Sequence, residues 1–215
     1  MCLAIAQLLQ LLNMGFLRDL SWGALLFLIY INDLPPNAIQ HSEPTLFADD
    51  TNLLFSSKNL QVLEQSVNQD LVFLLNWLYA NKIALNATKT EAILFRDSRK
   101  PILYNVNLQL CGQALEFSSN VRYPGIILDE FLSWTVHHNA LASKLQRANG
   151  VISKLRHFLP LESMISIYHA LFNSHLSYAA QIWGQNLPTT SRLSKLQKTA
   201  IQLITFLNLK NLNLK

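Results

Sequence analysis

Cysteine is scarce in this chain, with only Cys2 and Cys111 in 215 residues. Two thiols so far apart in sequence give no disulfide framework and no zinc spacing, which points to the inside of a cell rather than secretion. Long hydrophobic runs are missing too. The longest, Met1 to Leu12 and Leu20 to Ile31, fall short of the roughly 20 apolar residues a bilayer crossing needs, so no membrane partner is expected. The first run has no basic residue ahead of it and no small-residue cleavage site behind it. It therefore reads as a buried helix, not a signal peptide. There is no repeat, no low-complexity tract, no G-x-S-x-G nucleophile motif and no phosphate-binding glycine loop. The histidines do not build a metal site by spacing. His137 and His138 are adjacent and point apart on a helix, and His169 and His175, six apart, miss a common face.

Acid is the last scarce item, and its scarcity is local. From Phe131 to Lys215 there are nine Lys or Arg and one acid, Glu162, a surplus of eight positive charges. Residues 1–130 hold eight basic and twelve acidic residues, a net of −4. An acidic part joined to a basic part fits metal holding beside the gripping of a polyanion.

What is present is a large apolar fraction, 50% of residues, enough for a sizeable core. Gly23 to Leu34, "GALLFLIYINDL", reads as a buried helix stopped by "DLPP". Leu46 to Ala48 and Thr51 to Phe55 read as the two strands of a hairpin. A helix follows, capped by Ser56 or Ser57. Its apolar stripe is Leu60, Leu63, Val67, Leu71, Leu74 and Leu78. "NKIALNATKTEAILF" reads as a turn, a short strand, a polar loop and a strand Ala92 to Phe95. A turn at Asp97 to Pro101 and a hairpin around Cys111-Gly112 come next. Past "YPGIILDEFLSW" helical patterning takes over. Leu141, Leu145, Ala148, Ile152 and Leu155 form one stripe. A second helix starts at Pro160, with Ile165, Tyr168, Leu171 and Phe172 apolar. A last one, capped by Thr190, turns Leu193, Leu196, Ala200 and Leu203 inward. The boundary between the two parts is expected near residues 125–135.

The stretch "TLFADDTNLLF", Thr45 to Phe55, carries the chemical question. Two adjacent carboxylates in an apolar hairpin either make a solvated turn or hold a cation. Mg²⁺ prefers hard oxygen ligands and is commonly held by one or two carboxylates plus substrate phosphates. Nucleotidyl transfer often uses two such ions about 4 Å apart.

Four blocks in order bear on that choice: "GALLFLIYINDLP" (Gly23 to Pro35), "FADDTNLLF" (Phe47 to Phe55), "LNATKTEAILF" (Leu85 to Phe95) and "YPGIILDEFLSW" (Tyr123 to Trp134). Together they resemble the reverse transcriptases of non-LTR (LINE-type) retrotransposons, over about residues 20–205. "LRHFLPLESMISIYHALFNSHLSYAAQIWG" resembles the segment that trails the palm there. The resemblance implies an α+β fold. It would comprise a partial right-hand polymerase palm, an antiparallel sheet with packed helices, followed by an all-helical basic thumb-like region. Residues 1–19 are unmatched, 20–130 correspond to the palm and 131–215 to the thumb-like part. Phe47-Ala48-Asp49-Asp50 matches the catalytic hairpin, with Asp49 a direct ligand of Mg²⁺ and Asp50 a lesser one. Lys89 matches a lysine that protonates the leaving pyrophosphate, in a loop shaped by Asn86 and Thr90. Gly23 matches the glycine opening the helix beneath template and nucleotide. Tyr123 and Gly125 match the turn supporting the primer end. Lys144, Arg147, Lys154, Arg156, Arg192, Lys195 and Lys198 would grip duplex backbone without reading sequence. Trp134, Trp183 and Tyr178 are expected in the core rather than stacked on bases. The implied partners are an RNA template with a DNA primer, and the implied small substrate is a dNTP.

Departures from the family pattern qualify this. The family has a further catalytic Asp on a strand well before the Gly23 helix, yet only Asp19 precedes that helix here. The chain is expected to lack both the fingers and that strand. Arg18-Asp19-Leu20 stands where the family has Gln-Gly-Ser, Ala24 where it has Pro, and Pro124 where it has Leu. These departures predict a remnant or incomplete copy with no polymerase activity by itself. Two alternatives are a non-enzymatic remnant that binds RNA or DNA nonspecifically, and an inert, aggregation-prone fragment.

Overall fold

The computed structural model describes residues 2–6, 21–34, 38–47, 50–100, 104–185 and 187–205. Of residues 6, 21–24 and 187–190 only the backbone is described. The protein is mixed helix and antiparallel sheet, and it divides into two compact units. The first comprises residues 1–123 and 129–132; the second comprises 124–128 and 133–215.

The first unit is built on β1 (Cys2–Ala6), α1 (Ser21–Ile31), β2 (Glu43–Phe47), β3 (Asp50–Ser56), α2 (Leu60–Ala80) and β4 (Glu91–Phe95). The four strands form one antiparallel sheet in the order β2-β3-β1-β4. A β-α-β-β-α-β chain with its first strand inside the sheet is the split βαβ arrangement of ferredoxin-like folds.

β1 overturns two expectations. Within the opening run Cys2–Ala6 is a strand, not helix, while Met1 and residues 7–12 lie outside the described residues, and a strand does precede α1. Leu and Ala favour helix by intrinsic propensity, but propensity yields to context. Here β1 is paired on both sides: Ile5 opposes Leu53 of β3 and Ala92 of β4. Leu3 and Ile5 are fully buried.

Alternation along the strands separates two faces. Leu3, Ile5, Leu53, Phe55, Ala92 and Leu94 point into the core. There they meet Leu63, Val67, Leu71, Leu74 and Leu78 of α2, together with Ile31 and Leu34. Each such buried side chain stabilises by about 1.5–3 kcal/mol. The opposite face carries Asp50, Asn52 and Leu54 of β3, with their partners Phe47, Thr45 and Glu43 on β2.

α2 starts at neither expected serine. Asn59 is its cap, its Oδ1 accepting from the Gln61 N–H at 2.8 Å, while Ser57 Oγ accepts from the Asn59 N–H. α1 forms where helix was expected but is not buried. Phe27, Ile31 and Leu34 reach the core, whereas Leu25, Leu26, Leu28 and Tyr30 are exposed and Ile29 is 65% exposed. A helix apolar all round needs cover all round, and the described residues cover one side.

The short strand expected before β4 is a single bridging residue, Leu85, followed by a 3₁₀ turn, Ala87–Lys89. β5 (Leu108–Leu110) and β6 (Gln113–Leu115) form the hairpin at Cys111-Gly112, both in positive φ. That pair of angles is the primed turn that matches strand twist. β7 (Asn120–Tyr123) packs on β1 and β4, and β8 (Ile126–Asp129) follows in sequence.

The second unit is helical. α3 (Thr135–Leu155) and α7 (Leu187–Thr205) pack along each other, and Asn149 Nδ2 of α3 donates to the Leu196 carbonyl at 3.0 Å. Between them in sequence lie α4 (Leu161–Tyr168), a π-helical turn (His169–Asn173), α5 (Ser174–Ser177) and α6 (Ala180–Trp183). The expected inward residues Leu141, Leu145, Ala148, Ile152, Leu193 and Ala200 are buried. Ile165 and Leu171 are exposed instead. α7 begins before Thr190, which lies inside it and is not its cap.

Candidate functional site

The hairpin is where the sequence placed it. β2 ends at Phe47 and β3 starts at Asp50, and these two residues pair. Ala48 and Asp49, between them in sequence, lie outside the described residues. Asp50 is half-buried and Phe47 is 62% exposed. Both sit on the sheet face turned away from the helical core.

A buried carboxylate holds the hairpin's entry. Asp70, fully buried on α2, accepts from the backbone N–H groups of Gln40, His41 and Ser42 at 3.0–3.2 Å. The Ser42 hydroxyl donates to it at 3.1 Å, and His41 Nδ1 lies 2.9 Å away. Three orphan donors ahead of β2 are thus satisfied by one side chain. Sequence reasoning missed Asp70. Its signal was position, because residue 70 falls on the apolar stripe three residues after Val67, where only a fully bonded acid is tolerated.

Lys89 ends the 3₁₀ turn two residues before β4 and is exposed. Asn86 and Thr90 do shape its loop. Thr90 Oγ1 donates to the Asn86 carbonyl, and Asn86 Oδ1 accepts from Thr88. In the register, Glu91 at the start of β4 opposes Ala6 at the end of β1, and β1 runs antiparallel to β3. The start of β3 and the start of β4 therefore share one sheet edge, two strand spacings or about 10 Å apart. Asn52, two residues along the same face from Asp50, is buried with its Nδ2 lacking a hydrogen-bond partner.

The strand between β3 and β4 has no oxygen ligand to offer. β1 reads Cys2-Leu3-Ala4-Ile5-Ala6, and the next acid in sequence is Asp19. Among the described residues no group of three His, Cys, Asp or Glu is placed to hold a metal ion. Two adjacent carboxylates at a turn fit one Mg²⁺ completed by substrate phosphates. They do not fit a two-ion clamp, whose ions share a further carboxylate.

Gly23 lies in the first turn of α1, which begins at Ser21 among the described residues. Arg18-Asp19-Leu20 lies outside the described residues. Tyr123 ends β7. In the second unit Gly125 has φ +81°, and a Cβ there would overlap the Tyr178 ring. The Tyr178 hydroxyl donates to the Pro124 carbonyl at 2.9 Å, so it clamps this turn. Lys144, Arg147 and Lys154 on α3 and Arg192, Lys195 and Lys198 on α7 are exposed; Arg156, just past α3, is half-buried. Arg192 donates to Asn139 Oδ1 at 3.3 Å.

Trp183 is a core residue, packed against both adjacent histidines with ring centroids 5.6 and 5.4 Å apart. Its indole N–H donates to the Tyr178 carbonyl. His137 and His138 are both buried. Burial is the main cause pushing the pKa of each below its ordinary value, with His138 and Lys144 adding to the effect on His137. The Ile127 N–H donates to His137 Nδ1, and His138 Nε2 faces the Trp183 carbonyl while its Nδ1 has no partner.

The chain is 26% identical over 195 residues to the probable RNA-directed DNA polymerase from transposon BS of Drosophila melanogaster, covering 85% of this chain and 21% of that protein. It is 25% identical to the RNA-directed DNA polymerase from mobile element jockey of the same organism, covering 81% and 20%. A Pol polyprotein from a type-1 retrotransposable element R1 of Nasonia vitripennis is 26% identical over 119 residues, 54% of this chain and 30% of that protein. The chain's relatives are thus RNA-directed DNA polymerases of non-LTR retrotransposons, and it spans about a fifth of the length of the first two. No protein-family model matches the chain, and no solved structure does. Among the described residues no helix is long and apolar enough to cross a membrane.

Proposed function

We propose that this chain is a piece of a LINE-type reverse transcriptase. The sheet unit corresponds to the palm, from about residue 20 to 130, and the basic helices to a thumb-like grip on a primer–template duplex. The observation that carries this reading is Asp50 opening β3, paired with Phe47, on the sheet face opposite the one that packs against α2. Asp49 and Asp50 would hold Mg²⁺, which when bound supplies charge to offset that of the nucleotide's phosphates. Lys89, at the same sheet edge, is suited to hold a proton for the departing pyrophosphate. Gly23, Phe47, Ala48, Tyr123 and Gly125 would contact nucleotide and primer. Exposed Lys144, Arg147, Lys154, Lys195 and Lys198, with Arg156 and Arg192, would contact phosphates.

In this reading the chain lacks polymerase activity alone, because β1, which lies between β3 and β4, carries no carboxylate. The test is primer extension on an RNA template with dNTPs and Mg²⁺ or Mn²⁺. No incorporation above the Asp49→Ala background is expected, and incorporation that disappears in Asp49→Ala would refute inactivity.

A further inference from the structure

The sheet's other end holds a second constellation that the reading above does not use. Arg96, directly after β4, is fixed three ways. Its Nε donates to Glu130 Oε2 at 2.9 Å, its backbone N–H donates to the Glu130 carbonyl at 3.0 Å, and its guanidinium lies 4.7 Å over the Phe131 ring. A pocket opens on each side of this ion pair, and both count Arg96 and Glu130 in their walls.

The smaller pocket, about 300 Å³, is walled by Tyr104, Asn105, Phe117, Ser118 and Ser119. Two rings with amide and hydroxyl groups between them suit a flat heterocycle with polar edges. Phe117 keeps 38% of its surface exposed, and Tyr104 is half-buried, one side packed on the core and its hydroxyl hydrogen-bonded to Glu64, so Phe117 is the presented ring and Tyr104 a fixed wall. The larger pocket, about 480 Å³, has Lys58 and Lys100 in its walls, with Phe95, Asp97 and Phe131. Its two acids are already engaged, Glu130 with Arg96 and Asp97 with Arg99. Lys58 and Lys100 make no ion pair among the described residues. The surplus of positive charge therefore calls for an anion.

We propose that the two pockets together bind one unpaired nucleoside phosphate, with the base against Tyr104 and Phe117 and the phosphate at Lys58 and Lys100. β3 runs from Asp50 to Ser56, so this site lies about 20 Å along the sheet from the aspartate pair. It does not depend on that pair's chemistry. The ligand comes either from a nucleic-acid strand or from the free nucleotide pool, and the two sources are separable.

The full chain is irradiated with an eight-residue oligonucleotide carrying 5-bromouridine, and adducts are mapped by mass spectrometry. Adducts at Tyr104 or Phe117 are expected. Lys58→Glu with Lys100→Glu, both changes at the larger pocket, should weaken binding at least tenfold without altering the thermal melt. Phe117→Ala should weaken binding of the normal oligonucleotide but not of one abasic at the bound position. Lys82→Glu, exposed and outside both pockets, serves as a parallel variant and should leave the adduct in place. Competition by uridine monophosphate, but not by inorganic phosphate, assigns the site to free nucleotides; its failure at millimolar concentration assigns the site to a strand. Adducts confined to residues outside 94–131, or wild-type affinity in the double lysine variant, would overturn the proposal.

Discussion

The two units place their charged groups in opposite ways. The sheet unit buries a charge and surrounds it with partners: Asp70 collects three backbone N–H groups and a hydroxyl from the segment leading into β2. The helical unit keeps nearly all its described cations at the surface. A buried charge with all its partners specifies one arrangement, and a surface charge specifies almost none. The lesson is that the acidic unit's charge shapes its fold, whereas the basic unit's charge is free for something outside it.

The comparison breaks most visibly at Asp70. Asp70→Ala removes the one acceptor shared by three backbone N–H groups and opens a buried gap on α2, and should cost about 3–5 kcal/mol. Denaturant unfolding followed by circular dichroism checks this. A loss under about 1 kcal/mol would mean the loop finds other partners. Next comes Gly125→Ala, which combines an unfavourable positive φ with a clash against Tyr178 and should cost about 1–3 kcal/mol. Tyr178→Ala in the same chain should recover the clash component only, which a double-mutant cycle resolves.

Acid sharpens the contrast further. His137 and His138 have folded pKa values lowered mainly by burial. Below the ordinary histidine value of about 6.5 the unfolded chain binds more protons than the folded one. Their contribution is therefore intact above that pH and lost as pH falls through it toward the folded values. A melting temperature that drops between about pH 7 and 5, with a shallower drop in His138→Gln, is expected. The smallest effect belongs to the surface: Lys144→Glu with Arg147→Glu should shift stability by no more than about 0.5 kcal/mol. The same change should reduce the salt dependence of duplex binding, by about 0.9 in slope for each lost phosphate contact. An unchanged slope would remove those two residues from the nucleic-acid surface.

How much of this was legible depended on whether local pattern and tertiary context agreed. The hairpin was legible because alternating apolar residues flank Asp49-Asp50 on both sides. α2 and α3 were legible because their stripes repeat at helical spacing. β1 was not, since Leu and Ala prefer helix and only pairing with β3 and β4 makes Cys2–Ala6 a strand. α1 was recognised as a helix, but its exposure was not, because an all-round apolar pattern does not say which sides have neighbours. The expectation that Trp183 belongs to the core agrees with its packing, whereas its histidine neighbours were read only as metal candidates and set aside. The Arg96–Glu130 pair joins residues 34 apart in sequence, so no local pattern could have shown it.

The central claim is that β1, the strand between β3 and β4, carries no carboxylate to complete a two-ion site with Asp49 and Asp50. Counting Mn²⁺ ions bound per chain by calorimetry, in wild type and Asp49→Ala, tests it most directly. One weakly held ion that disappears in Asp49→Ala is the predicted result. Two ions bound together, both lost on that substitution, would show that another ligand completes the clamp and would contradict the account.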